Sequence, residues 1–409
     1  MICESLETNI KILSLHRLVA KLVVLDMLFF PYFRLLHVSF SAPVIFLCIA
    51  LDRRKISEIK LVFLCMLFLV FSVMSVIAGY MWNASFDLHR DVFGLSIILL
   101  YMAYYYFYIR NMIFLKDFVF QALRLYLWMA FAFAVLFILA PQSFFNIRVF
   151  WQMNANVIQY KQAYFSRYIF LLSDPNNCSC AISSVLFALL VLDKKMSNYL
   201  KIVYASISLF TCVVTLSATG FVVMSVGLIF YFFIYEKRIL LNEKILKLII
   251  LCGVLFFAVA VIVFKKYNLM DSIFGVAIQR ISNNLLGGNE SSGSIRLKYW
   301  IDTIRNFEWY KYVVLGRGAT VRGIEGFKYP GYSGHFQLIL YYGLISYISY
   351  MYIFFRNPRS MKWKSYICLF PALICFSVNV GLEDYRTSGI FALVAAMYHS
   401  CVFGRENNA

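Results

Sequence analysis

The sequence predicts an all-α, polytopic integral membrane protein of about 12 transmembrane helices, and three observations carry that expectation. Hydrophobic residues make up 62% of the 409 and charged residues only 14%, too little polar side chain to cover a water-soluble globule of this size. Apolar runs of about 20 residues recur along the chain, the length that crosses a hydrocarbon core roughly 30 Å thick. Lys and Arg gather on alternate connections between those runs, the asymmetry that orients membrane helices. A lipid-exposed backbone must satisfy its own hydrogen bonds, so the runs are expected to be helices.

Taken in order, the spans fall at 12–31, 35–51, 61–80, 92–109, 118–140, 178–193, 200–216, 220–235, 248–264, 336–355, 365–382 and 388–403. Arg17, Lys21, Asp26, Pro31 and Arg34 interrupt the first two. The first run, "LVAKLVVLDMLFFPYF", has no small-residue cleavage site behind it and reads as a retained span rather than a leader. With the N-terminus inside, the inner segments hold 21 Lys and Arg and the short outer connections three. Both termini are therefore expected to be cytoplasmic. The ten cysteines sit mostly within apolar runs and read as small buried hydrophobes, not a disulfide framework.

Two long connections fall on the outer side, so the chain reads as one polytopic domain, 1–409, with periplasmic loops at 141–177 and 265–335. The first carries three Lys and Arg against one acid, the second ten against five. Basic charge outside runs against the usual bias and points to an anionic partner. In the larger loop, "SSGSIRLKYWIDTIRNF" predicts a short helix at about 294–307, with Ser294 as cap. At 100° per residue its apolar residues Leu297, Trp300, Ile301, Ile304 and Phe307 form one stripe, edged by Arg296 and Arg305. That is the pattern of a helix lying at the membrane surface.

Next comes "GRGATVRGIEGFKYPGYSGH", Gly316 to His335, glycine-rich and basic, against the mouth of an apolar run. Gly316 and Gly318 permit backbone that a side chain would forbid. With no third glycine at dinucleotide-fold spacing, a nucleotide loop is excluded. His335 and His89 lie near the outer face without Cys, His or acid at ligand spacing, so no metal or other cofactor is expected. In the shorter loop, Lys161 and Arg167 precede the turn Asp174-Pro175-Asn176-Asn177. Asp174 or Asn177 could cap the following helix; left uncapped, its N-terminus would attract an anion.

Together these pieces resemble the Wzy-type O-antigen polymerase and O-antigen ligase superfamily. Its outer-face "R…PN" turn is met by Arg167…Pro175-Asn176. Its "sgR…W", "GxG" and "H-N-x-y-L…G-l-i-g" motifs are met by Ser292-Gly293…Arg296…Trp300, Gly316-Arg317-Gly318 and His335…Leu338…Gly343-Leu344-Ile345. Its Arg-x10-Gly spacing is met by Arg305 and Gly316, and Phe336 stands where the family has Asn. The motifs cover about residues 160–350.

The resemblance implies a membrane-embedded, GT-C-like glycosyltransferase of the bacterial inner membrane. It implies a polysaccharide polymerase that joins undecaprenyl-diphosphate-linked oligosaccharide units at the periplasmic face. Partners would be the lipid-linked donor and acceptor, membrane lipids, a chain-length regulator and a flippase, with no nucleic acid. Such chemistry needs a base for the acceptor hydroxyl and charge to meet the leaving diphosphate. His335 suits the first role. Arg296 joins it in the catalytic set, and Arg167 and Arg305 can grip phosphate as it does, through a bidentate fork and without a metal. Lys161, Asn176, Gly316, Arg317 and Gly318 complete the substrate-binding set, the glycine strip acting as a mobile lid. An O-antigen ligase, with a lipid A core sugar as acceptor, is the nearest alternative. A lipid-linked oligosaccharide flippase or transporter is the next, although it predicts repeats and midplane charges that are not found.

Overall fold

A computed structural model describes residues 2–30, 39–51, 59–82, 88–152, 168–172, 174–236, 298, 300–305, 313–318, 333–358, 362–378 and 385–406. The described residues are helical, with no strand among them. The helices are α1 (Ile2–Phe29), α2 (Ser41–Leu51), α3 (Ile59–Trp82), α4 (Leu88–Leu139), α5 (Pro141–Gln152), α6 (Pro175–Leu192), α7 (Asn198–Val214), α8 (Ala218–Phe230), α9 (Gly334–Phe355), α10 (Phe370–Val378) and α11 (Tyr385–Glu406). A π turn, Tyr231–Tyr235, extends α8, and a 3-10 turn, Trp363–Cys368, precedes α10.

Four of these helices are long and apolar enough to cross a membrane: Ile59–Met81, Val92–Leu139, Pro175–Leu192 and Gly334–Phe355. On α3, Phe63, Met66, Val70, Met74 and Ile77 form an exposed stripe at helical spacing, 43–64% accessible. Water would not tolerate a stripe of that length; lipid would. The opposite face of α3 carries Phe68, Ser72 and Ser75, all buried, and packs along α9.

The centre of the molecule is α6, every residue of which is buried. Helices α4, α7, α8, α10 and α11 pack around it. Polar anchors hold both its ends. Asp174 accepts the N–H groups of Asn176 (2.7 Å) and Asn177 (3.4 Å), capping the first turn, and Pro175 occupies a position where no N–H is needed. At the other end Asp193 pairs with Arg124 of α4 and accepts the Lys195 N–H at 3.2 Å. Asp26, another charge among the apolar runs, is buried and caps α2 by accepting the Ser41 N–H at 2.6 Å.

Three predicted boundaries change. The expected spans 92–109 and 118–140 form one helix, α4, of 52 residues, about 78 Å along its path. The intervening Arg110, Asn111, Lys116 and Asp117 are charged or polar, yet neither Gly nor Pro is present to end the helix. The expected span 365–382 opens as a 3-10 turn followed by α10 as far as Val378, because Pro371 cannot continue a helix from the turn before it and instead starts one; residues 379–382 lie outside the described residues. The predicted loop 141–177 opens as helix α5, and the span at 248–264 lies outside the described residues.

Candidate functional site

Helix α9 is two helices joined at Gly343, whose φ of 82° and ψ of 170° interrupt the helical bonding. Backbone groups freed by such a break inside an apolar bundle must find other partners. Here they find the turn and irregular segment 313–318. Arg317 N–H donates to Leu340 O (2.8 Å), Gly318 N–H donates to Tyr341 O (3.0 Å), and Leu344 N–H donates to Val313 O (2.7 Å). From α3, the Ser75 hydroxyl reaches Tyr342 O at 3.0 Å and also the Leu315 carbonyl.

The glycines permit this close approach. Gly316, at φ 76°, would bring a Cβ to 2.6 Å from the Gly343 nitrogen, and a Cβ on Gly79 of α3 would meet Arg317 O at 2.6 Å. The expected lid is therefore corrected in part. Gly316, Arg317 and Gly318 are a strap bonded into the break, with both glycines buried, because their amides replace helical bonds. Residues 319–332 lie outside the described residues.

His335 sits in the first turn of α9, half-buried, with an aromatic ring on either side: Phe376 at 4.8 Å and Tyr347 at 5.7 Å, both edge-on. Its Nε2 lies 2.9 Å from the Ser377 hydroxyl and its Nδ1 3.1 Å from the Tyr347 hydroxyl. Ser377 donates its single proton to the Leu373 carbonyl at 2.9 Å, so its oxygen is left to accept. With the hydroxyl oriented in this way, the imidazole proton is assigned to Nε2, and Nδ1 accepts from Tyr347. In an unbroken helix residues twelve apart stand about 18 Å apart along the axis. The break at Gly343 is what lets Tyr347 reach His335. Beside Phe376 a narrow apolar crevice of about 20 Å³ opens between α9, α10 and α11.

The start of α6 joins this neighbourhood through α10. Cys375 Sγ donates to Asn177 Oδ1 at 3.4 Å, two residues before Ser377. Asn176, predicted to bind substrate, is buried, and its Oδ1 accepts the Ser217 hydroxyl at 2.6 Å, where Ser217 caps α8. Of the two alternatives for the start of α6, the structure shows the cap: Asp174 holds the first-turn amides, so they are not left to attract an anion.

Of the predicted cations, Arg305 is exposed at the end of helical residues 300–305, and Arg317 is half-buried in the strap. Lys161, Arg167 and Arg296 lie outside the described residues. Trp300 packs edge-on against Phe336 at 6.2 Å, so the residue that replaces the expected Asn contacts the tryptophan of the arginine motif. Thr303 is buried while Ile301 and Ile304 are exposed, which turns the isoleucines outward. Sequence reasoning missed Ser377 and Tyr347. It also missed Arg386, 1% exposed, which donates to the carbonyls of Leu171 (3.3 Å) and Phe30 and so ties α11 to α1 and to the approach of α6. A lone arginine in the short connection before the last apolar run was its only signal.

The arrangement presents an oriented imidazole at a helix end, next to an apolar crevice. Such a site can take a proton from a hydroxyl near the membrane surface. Residues 203–352 match the family model described as O-antigen ligase, consistent with the Wzy and O-antigen ligase superfamily. The matched stretch contains His335, Tyr347, both strap glycines, Arg296 and Arg305, and leaves Asn176 and Arg167 outside it. No curated protein matches the chain.

Proposed function

We propose that this chain, similar over residues 203–352 to the O-antigen ligase family, is a polysaccharide polymerase of the bacterial inner membrane. It joins undecaprenyl-diphosphate-linked repeat units at the periplasmic face and releases undecaprenyl diphosphate. The observation that supports this reading best is His335, held by Ser377 and Tyr347 at the end of α9 within the matched stretch. His335 accepts the proton of the acceptor hydroxyl. Arg296, Arg167 and Arg305 meet the charge growing on the diphosphate, with Arg317 and Lys161 adding to the field. The basic loops 141–177 and 265–335 face the donor.

The description of the matching family favours a second reading, an O-antigen ligase that passes the lipid-linked glycan to lipid A core. The donor and the site are shared, and only the acceptor differs. A deletion strain separates the two. Loss of a polymerase leaves core carrying a single repeat unit on a lipopolysaccharide gel, whereas loss of a ligase leaves core bare. An unchanged ladder of long chains would contradict both.

A further inference from the structure

Resting on that reading, we infer that Tyr347 stands between the acceptor hydroxyl and His335 and relays the proton that the imidazole receives. The hydrogen-bonding groups support it. With the Ser377 hydroxyl donating to Leu373 O at 2.9 Å, its oxygen is left to accept, which assigns the His335 proton to Nε2. The basic nitrogen is thus Nδ1, and Tyr347 Oη covers it at 3.1 Å. Ser377 is already committed on the far side of the ring, and Phe376 lies edge-on at 4.8 Å. Among the described residues Tyr347 Oη bonds only to His335, on a half-buried residue.

The step balances as follows. The acceptor O–H breaks, and its proton goes to Tyr347 Oη. The tyrosine's own proton passes to Nδ1. The acceptor oxygen bonds to the anomeric carbon as the bond from that carbon to the diphosphate oxygen breaks, and the diphosphate leaves with the electron pair. Imidazole becomes imidazolium, its Nε2–H still held by Ser377, while Tyr347 is again a neutral phenol. The break at Gly343 and the strap that fills it would then have a chemical purpose, since they set the distance between the two relay groups.

The test uses the full-length protein in proteoliposomes, with lipid-linked glycan extracted from a deletion strain as the probe. Tyr347→Phe keeps the ring and removes the relay. Its turnover should fall roughly 100-fold with apparent KM unchanged. Replacing Tyr347 by 3,5-difluorotyrosine keeps the hydroxyl but makes it more acidic, and should shift the pH dependence of turnover; a merely structural hydroxyl would leave that profile in place. An inactive His335→Ala beside a Tyr347→Phe of wild-type rate, or an unmoved profile in the fluorinated protein, overturns the relay and leaves the polymerase reading standing. Full turnover in His335→Ala, or no turnover by the wild type, brings down the functional reading and the relay with it.

Discussion

Asn176 and Arg296 were both read from motifs as site residues, and physical chemistry now separates their roles. The Asn176 side chain holds the start of α6 to the cap of α8 through a 2.6 Å bond to a buried serine. Truncating it leaves the Ser217 hydroxyl without that acceptor, which costs about 1–3 kcal/mol. Asn176→Ala should therefore lower the unfolding temperature in detergent, while Arg296→Lys should leave it unchanged and cut chain growth, because an ammonium cannot reproduce a guanidinium fork. An Asn176→Ala protein as stable as wild type would contradict the first assignment, and normal chain length in Arg296→Lys the second. His335 was legible because a histidine at the mouth of an apolar run is conspicuous. Its partners were not. Tyr347 lies 12 residues away across a helix break and Ser377 lies 42 residues away, a serine like many in apolar runs.

Among the elements, α9 departs furthest from its sequence pattern. Twenty apolar residues containing one glycine read as a single helix, since an isolated glycine is tolerated in helices. Nothing local reveals that the partner of Gly343 is a segment some 25 residues upstream. The G-x-G was legible as unusual backbone, and φ values of 76° and 77° bear that out. Its mobility was not, because glycine permits flexibility and tight contact alike. A Cβ on Gly343 would meet Leu315 C at 2.7 Å with φ already positive. Gly343→Ala and Gly316→Ala should each destabilise by about 1–3 kcal/mol, seen as a lower unfolding temperature, and should lose activity by displacing Tyr347 from His335. If both variants kept wild-type stability, the strap would not be part of the helix's bonding.

At the scale of the molecule, composition was enough to give helices in a membrane, since 62% hydrophobic residues leave few other arrangements. It did not give where helices end. Arg110 and Lys116 mark where solvent or headgroups are expected, yet charge does not break a helix, and α4 runs through them. The central place of α6 was likewise hidden, because a lipid-facing and a protein-facing apolar run look alike in sequence. The proposal that unites these scales is glycosyl transfer by a helix-end histidine, and reconstitution tests it most directly. Wild type and His335→Gln, matched for expression and unfolding temperature, would be placed in proteoliposomes with lipid-linked repeat units, and chain growth followed with release of the polyprenyl diphosphate. The account predicts a growing ladder from wild type and none from His335→Gln, which keeps a hydrogen-bonding side chain but cannot take up the proton. A ladder of wild-type length from His335→Gln would contradict it.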